Sequence, residues 1–310
     1  MRGSIYYQVY AVFNSIIAFG ESKHQAKEHI REEFAKENTS NTWHNLGKQL
    51  KIYSYKAADQ YRMVARDLLS FAKERFKLKD IEKLTSTHVN AYLQSKIAQK
   101  VKYSTFQNYA AAVEKLEAAL NAYARQHGKE TTYSFDLKEA RFKAQSALDH
   151  TYKSRAYENP KALIDKIQDP IFKLIAQAQL EGGFRVSEIN HLSVRNFLED
   201  NTVKVEGKGG LERQVLLSEK TYNALKELSK TPSGLDGKFV FDYDKYIRAL
   251  RQASQYSKQA YRGSHGLRWN FAQNTFLNLQ RNGQGFEESL SKVSEALGHH
   301  RADITKHYLR

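Results

Sequence analysis

Cysteine is absent from the 310 residues. That excludes disulfides, thiolate zinc sites and a cysteine nucleophile, and it fits a reducing cytoplasm. Long apolar runs are also missing, since none approaches the roughly 18 residues needed to cross a membrane. The patch from Val9 to Phe19 is interrupted by Asn14 and Ser15. It has no strong basic lead and no small-residue cleavage site, so it reads as a helix and not as a signal peptide. Internal repeats and low-complexity segments are lacking. Proline is scarce, and two of the three, Pro160 and Pro170, fall where a second domain is expected to begin. Acidic charge is in deficit: 34 Asp and Glu face 49 Lys and Arg, giving a net charge of +15. The excess is not a tail, because residues 1–150 hold 24 basic and 16 acidic side chains and residues 151–310 hold 25 and 18. Such a balance points to a polyanionic partner, nucleic acid first.

What is present is helical text. Tyr6, Val9, Tyr10, Phe13, Ile16 and Ile17 recur at three- and four-residue spacing, which predicts one buried helix face within residues 4–37. A polar stretch from Glu37 to Thr42 reads as a linker. From Tyr53 to Gly128 the spacing predicts a bundle of about four helices. One carries Ala58, Tyr61, Val64, Leu68 and Phe71. The next follows an N-cap cluster at Thr85 to Thr87 and carries Val89, Tyr92, Leu93 and Ile97. A third opens at Tyr103 and carries Phe106, Tyr109, Val113, Leu116, Leu120 and Tyr123, with Gly128 at its stop. Between Glu82 and Glu114 there is no acidic residue. Lys96, Lys100, Lys102, Ser104, Thr105, Gln107 and Asn108 in that interval are candidate DNA contacts: lysines neutralise phosphates, and hydroxyls and amides bond phosphate oxygens or base edges.

Residues 129–160 read as mixed, with Asn159-Pro160 breaking any helix. The domain boundary is expected near Lys153 to Tyr157. Beyond it, Ile171 to Leu180 is an apolar helical run ended by Gly182-Gly183, and Val186, Ile189 and Leu192 start a short helix. Thr202 to Glu206 and Gln214 to Leu217 read as two strands of a hairpin with Gly207-Lys208-Gly209-Gly210 between them. Thr221 to Ser229, Asp244 to Gln255 and Leu267 to Asn282 read as helices, and Phe286 to Leu297 leads into the terminal motif.

That motif is Leu297-Gly298-His299, with Tyr308 nine residues after the histidine. Upstream stand Gly183-Phe184-Arg185-Val186-Ser187-Glu188 and His265-Gly266-Leu267-Arg268. A tyrosine that attacks a phosphodiester needs its phosphate's charge balanced and the charge of the transition state stabilised. Its phenol, with a free pKa near 10, must lose a proton, and the leaving oxygen must gain one. Arginine suits the first two needs, because its planar fork bonds two phosphate oxygens and stays protonated. Histidine or lysine suits the proton transfers. A covalent phosphotyrosine conserves bond energy, so rejoining requires neither ATP nor metal.

In this order and at these spacings, the motifs resemble the active site of the tyrosine recombinases, the phage-integrase family. The resemblance covers about residues 44–308. It implies that Arg185 and Arg268 clamp the phosphate and that Glu188 orients them. It further implies that Lys208 protonates the leaving oxygen, His265 transfers a proton, His299 donates to the phosphate and Tyr308 is the nucleophile. His300 and His307 match no motif role. A zinc site at His299, His300 and His307 lacks further ligands, so no metal and no cofactor are expected.

The fold implied is mainly α, with an N-terminal extension over 1–42 and a helical core-binding (SAM-like) DNA-binding domain over 43–152. The catalytic domain, 153–310, is mostly helical with a small antiparallel sheet, and the two domains form a C-shaped clamp on DNA. The partner implied is a double-stranded recombination site, held by a homo-tetramer that is monomeric or dimeric when free, with room for accessory DNA-bending proteins. The setting implied is cytoplasmic and nucleoid-associated, in a prokaryote or mobile element. The expected activity is site-specific integration or excision through a 3′-phosphotyrosine and a Holliday junction. Rivals are a Xer-like dimer resolvase, a type IB topoisomerase, and a DNA-binding regulator without catalysis. Two departures stand out. Only Leu309 and Arg310 follow Tyr308, where many relatives carry a segment that docks on a neighbouring protomer; residues 4–37 are the candidate for that task, the alternatives being that they contact DNA or pack on their own bundle. Trp269 follows Arg268 where a small residue or histidine is usual, and it is expected to pack.

Overall fold

A computed structural model of the chain describes residues 1–37, 39–207, 212–230, 237–299 and 305–309, leaving aside the side chains of 43 and 44. The chain divides into two compact units, Met1–Thr151 and Tyr152–Arg310. Its architecture is mainly helical with one small antiparallel sheet, as the resemblance implied.

The first unit contains α1 (Ile5–Asn14), α2 (Lys23–Lys36), α3 (Trp43–Gln49), α4 (Tyr55–Phe76), α5 (Ser86–Ala98), α6 (Tyr103–Gln126) and α7 (Lys138–Ala147). Hydroxyls of Ser4, Ser22, Thr42 and Ser54 accept the amides that open α1 to α4. Each satisfies a donor that the first helical turn leaves unpaired. The core is built by Leu68, Val89, Leu93, Phe106, Val113 and Leu116, at the spacing expected of α4 to α6. Helix α1 shares that core, but its buried face is Gln8, Val9, Val12 and Phe13. Tyr6 and Tyr10, expected on that face, are 63% and 45% exposed. Helix α3 follows the polar stretch read as a linker, and α7 lies in the stretch read as mixed. Helix α7 buries only Ala140 and Ala144, which give little hydrophobic contrast in sequence.

The second unit begins with α8 (Pro160–Asp165) and α9 (Pro170–Gly182). Asn159-Pro160 starts α8: the Asn159 side chain accepts the Ala162 amide, and proline at the first helical position wastes no donor. Asp169-Pro170 opens α9 in the same way. Gly183 ends α9 with φ 60°, and a Cβ there would collide with the Phe271 ring, so both conformation and space require glycine. Next come α10 (Val186–Ile189), β1 (Thr202–Glu206) and β2 (Glu212–Leu216). The strands pair antiparallel with Val203 opposite Val215 and Val205 opposite Arg213. Their connection, including Lys208, lies outside the described residues. Then follow α11 (Glu219–Ser229), α12 (Tyr243–Tyr256), α13 (Ser264–Arg281), α14 (Phe286–Ala296) and a terminal 3-10 turn, His307–Leu309. Helix α13 packs on α9, on α14 and on the terminal turn, so it is the element that the functional residues share. Among the described residues no helix is long and apolar enough to cross a membrane.

Candidate active site

Helix α13 presents His265, Arg268, Trp269 and Gln273 at positions i, i+3, i+4 and i+8, which is one helix face. The terminal turn lies on that face. Tyr308 is mostly buried, and its ring centroid lies 5.1 Å from Trp269, 5.3 Å from His299 and 5.6 Å from His265. Its hydroxyl is 2.8 Å from His265 Nε2. The Gln273 amide donates to the Tyr308 carbonyl at 3.0 Å. Three rings and a backbone clasp therefore fix the phenol, and Trp269 packs, as expected, against the nucleophile candidate itself.

Arg268 has no exposed surface. Its guanidinium donates to the carbonyls of Gly183 and Leu297 and lies 3.4 Å from His299 Nε2. Since arginine can only donate, His299 Nε2 accepts there, and its Nδ1–H is left to donate to Thr305 Oγ1 at 2.9 Å. The Arg268 Nε is buried without a partner among the described residues. Burial lowers the Arg268 pKa to about 10, with help from the charges of Arg185 and Arg213.

Arg185 stands at the start of α10. Its backbone N–H donates to Glu188 Oε2 at 2.7 Å, and its Nη1 donates to Oε1 at 2.6 Å. Glu188 also accepts from Arg213 Nη2 at 2.7 Å. Burial alone would raise the Glu188 pKa, but Arg213 and the Arg185 hydrogen bonds outweigh it and hold the carboxyl below its usual range. Arg213 is a site residue that sequence reasoning missed. It is 9% exposed and also donates to the Ala296 carbonyl at 2.8 Å. Its signal was the strand alternation, because Arg213, Val215 and Leu217 occupy one face. An arginine in phase with two apolar residues is an inward arginine.

The cluster thus holds three arginines around one carboxylate, an excess of positive charge with donors to spare. It brings together Arg185, Glu188, His265, Arg268, His299 and Tyr308, which are up to 123 residues apart in sequence. Lys208 and His300 lie outside the described residues. His307 lies beside Tyr152, with ring centroids 5.1 Å apart and the rings tilted by 59°. No group of three or more acidic or histidine side chains able to hold a metal ion occurs among the described residues.

In the first unit, Lys100, Lys102, Thr105 and Asn108 are exposed and Ser104 is half-buried around the start of α6. Gln107 is engaged internally, donating to Tyr103 Oη and accepting from Arg141 at 3.3 Å. Lys96 does not meet the expectation of a phosphate contact. It is 8% exposed, pairs with Asp67 at 2.7 Å and sits between the rings of Tyr92 and Tyr109.

The family model described as the phage integrase family matches residues 146–310, and the model for the phage integrase N-terminal region matches residues 37–125. The chain belongs to the phage integrase family. It is accordingly a tyrosine-type site-specific recombinase. No curated protein matches this integrase. Among solved structures it is similar to XerH recombinase bound to palindromic difH, at 16% identity and TM-score 0.66, covering 100% of this chain and 94% of that one. It is also similar to a lambda integrase dimer bound to a COC′ core site, at 16% identity and TM-score 0.54, covering 94% and 77%. The Tn1549 transposon integrase with transposon right-end DNA gives 15% identity and TM-score 0.52, covering 94% and 95%. These likenesses give the fold of the integrase.

Burial lowers the pKa of His265 to about 4 and of His299 to about 3, with Arg268 adding to each. Both rings are neutral at pH 7, so His265 Nε2 is free to accept the Tyr308 proton. In the DNA-free integrase their Cε1–H NMR signals are expected to stay fixed between about pH 5 and 7.5, where an ordinary histidine titrates. In the unfolded chain both bind a proton near pH 6.5. The unfolded state then holds more protons, so stability is expected to fall as pH drops from about 6.5 towards 4. A melting temperature that stays flat across that window contradicts the assignment.

Proposed function

We propose that this integrase cleaves one strand at a time of a duplex recombination site by attack of the Tyr308 hydroxyl on a phosphodiester. The 3′-phosphotyrosine formed is resealed by a partner strand through a Holliday junction, for integration or excision of a mobile element. The observation that carries the reading is the 2.8 Å contact between Tyr308 Oη and a neutral His265, beside the guanidinium of Arg268. His265 takes the phenolic proton. Arg185 and Arg268 balance the phosphate, and Glu188 holds Arg185 in place. Lys208, on the strand connection, protonates the leaving 5′ oxygen. His299 serves the phosphate once its Nε2 carries a proton, by the other tautomer or by protonation.

Residues 43–152 form the DNA-binding domain, with Lys100, Lys102, Ser104, Thr105 and Asn108 facing the duplex, and residues 153–310 form the catalytic domain. The assembly is a tetramer joining two sites. The reading is supported by the basic charge of both halves, by the family, and by the similar solved recombinases, which are bound to DNA sites. The test begins with selection of bound duplexes from element-end or genomic DNA. Two labelled duplexes bearing the selected site are then incubated without ATP. Strand-exchanged products and a four-way junction are expected. Relaxation of a supercoiled plasmid carrying the site, with no exchange between the duplexes, indicates a topoisomerase, and binding without any cleavage indicates a regulator.

A further inference from the structure

Beside His265 lies a cleft of about 440 Å³ that the proposed chemistry does not use. Arg155, Tyr243, Tyr261, Arg262 and Ser264 line it together with His265. It is built at the start of α13. The cap position there is Gly263, at φ 71°, and among the described residues no side chain caps the helix. The loop is held by Tyr157, whose hydroxyl accepts from the Arg262 amide and donates to the Gly263 carbonyl, both at 3.1 Å. Asn270 pins the same segment through the Tyr157 amide at 3.0 Å and its carbonyl at 2.8 Å.

Groups of one chemical kind converge on Gly263. A Cβ there would lie 3.8 Å from Arg155 Nη2 and 3.9 Å from Tyr261 Oη. Gly266 lets the chain come this close, since a Cβ on it would meet the Arg155 carbonyl at 2.7 Å. Ser264 is 7% exposed, lines the cleft and makes no hydrogen bond among the described residues. Its hydroxyl is free to donate into the cleft. Neither Arg155 nor Arg262 pairs with a carboxylate among the described residues. The Gly266 amide turns back to the Gly263 carbonyl at 3.1 Å, which leaves the Ser264 and His265 amides. Two guanidinium groups without a carboxylate, a serine hydroxyl and those two amides are a donor set for an anion.

Its position identifies the anion. His265 borders the cleft and also holds the Tyr308 hydroxyl, so the cleft begins where the reacting phosphate has to lie. Each strand of duplex DNA carries one phosphate per about 3.4 Å of axis, which puts the next one within reach of an arginine side chain. We propose that the cleft formed by Arg155, Arg262, Ser264 and the Ser264 and His265 amides binds the backbone phosphate next to the scissile one, and so sets the strand's register over Tyr308. The inference rests on the reading that Tyr308 attacks DNA.

The test uses single-turnover cleavage of a selected duplex in which the phosphates flanking the scissile one are replaced, one at a time, by neutral methylphosphonate. Wild type is expected to lose about tenfold or more at one adjacent position, the size of a lost charge-assisted contact. Arg155→Ala, at an exposed side chain, and Ser264→Ala are expected to slow cleavage of the unmodified duplex. They should lose little more when that one phosphate is neutral. Losses that multiply, or a wild type indifferent to every flanking substitution, overturn the proposal. A wild type that cleaves no duplex overturns the recombinase reading itself, and this inference with it.

Discussion

Arg268→Lys is expected to slow cleavage about a thousandfold while leaving DNA binding within about tenfold of wild type, the scale of a lost transition-state donor. The substitution keeps the charge, so a charge-only account predicts little loss. The geometry predicts otherwise. Arg268 reaches the Gly183 and Leu297 carbonyls with two nitrogens while its Nε stays without a partner. A lysine ammonium has a single head and cannot hold both carbonyls and a phosphate oxygen at fixed angles. Those carbonyls end α9 and α14, so the same side chain sets the spacing between the helices that carry the Arg185 and His299 motifs. Arg268→Ala takes the Arg268 donor from both, leaving Gly183 only the 3.4 Å bond from Arg213, and is expected to cost about 2 kcal/mol in denaturant unfolding as well. Single-turnover adduct formation and filter binding separate the two effects. A lysine variant that cleaves at the wild-type rate removes Arg268 from the chemistry.

Glu188→Gln is expected to destabilise the protein by about 3–5 kcal/mol, the cost of breaking a buried ion pair from one side. Its side chain is 2% exposed and binds both Arg185 and Arg213. Glutamine keeps the shape but leaves three arginines with no counter-charge. The pH dependence follows from the lowered pKa of Glu188. Its contribution is full above the unfolded value of about 4.5 and is lost as pH falls below it. The glutamine variant is therefore expected to be less stable at pH 7 and to lose less on acidification. Urea titrations at neutral and acid pH read both. Equal slopes against pH for wild type and variant show that Glu188 is not the anion that holds the cluster.

The site was legible in the sequence where its chemistry is local. Gly-Phe-Arg-Val-Ser-Glu, His-x-x-Arg and Leu-Gly-His are short because each sits at one helix start or end, and the folding of α9, α13 and α14 brings them together. Arg213 was not legible because its role comes from a strand register. The strand was read from Gln214, so the inward arginine fell just outside it. Lys96 was misread for the opposite reason. A stretch without acidic residues suggested a phosphate-binding face, yet its partner Asp67 comes from α4, 29 residues earlier. Helix α7 hid behind alanines, and the buried face of α1 lay a residue away from its tyrosines, since amphipathic aromatics satisfy a helical period without being buried. The cleft beside His265 joins Arg155 to Arg262 across more than 100 residues, and no spacing rule connects them.

The most direct measurement uses a duplex bearing the selected site and a nick placed so that cleavage releases a short fragment and traps the covalent complex. Wild type and Tyr308→Phe are incubated with it in EDTA, without ATP, and resolved under denaturing conditions. A denaturation-resistant protein–DNA adduct is predicted for wild type only, with Tyr308→Phe binding the duplex equally well. An adduct that survives in Tyr308→Phe, or one that wild type forms only when divalent metal is restored, contradicts the account.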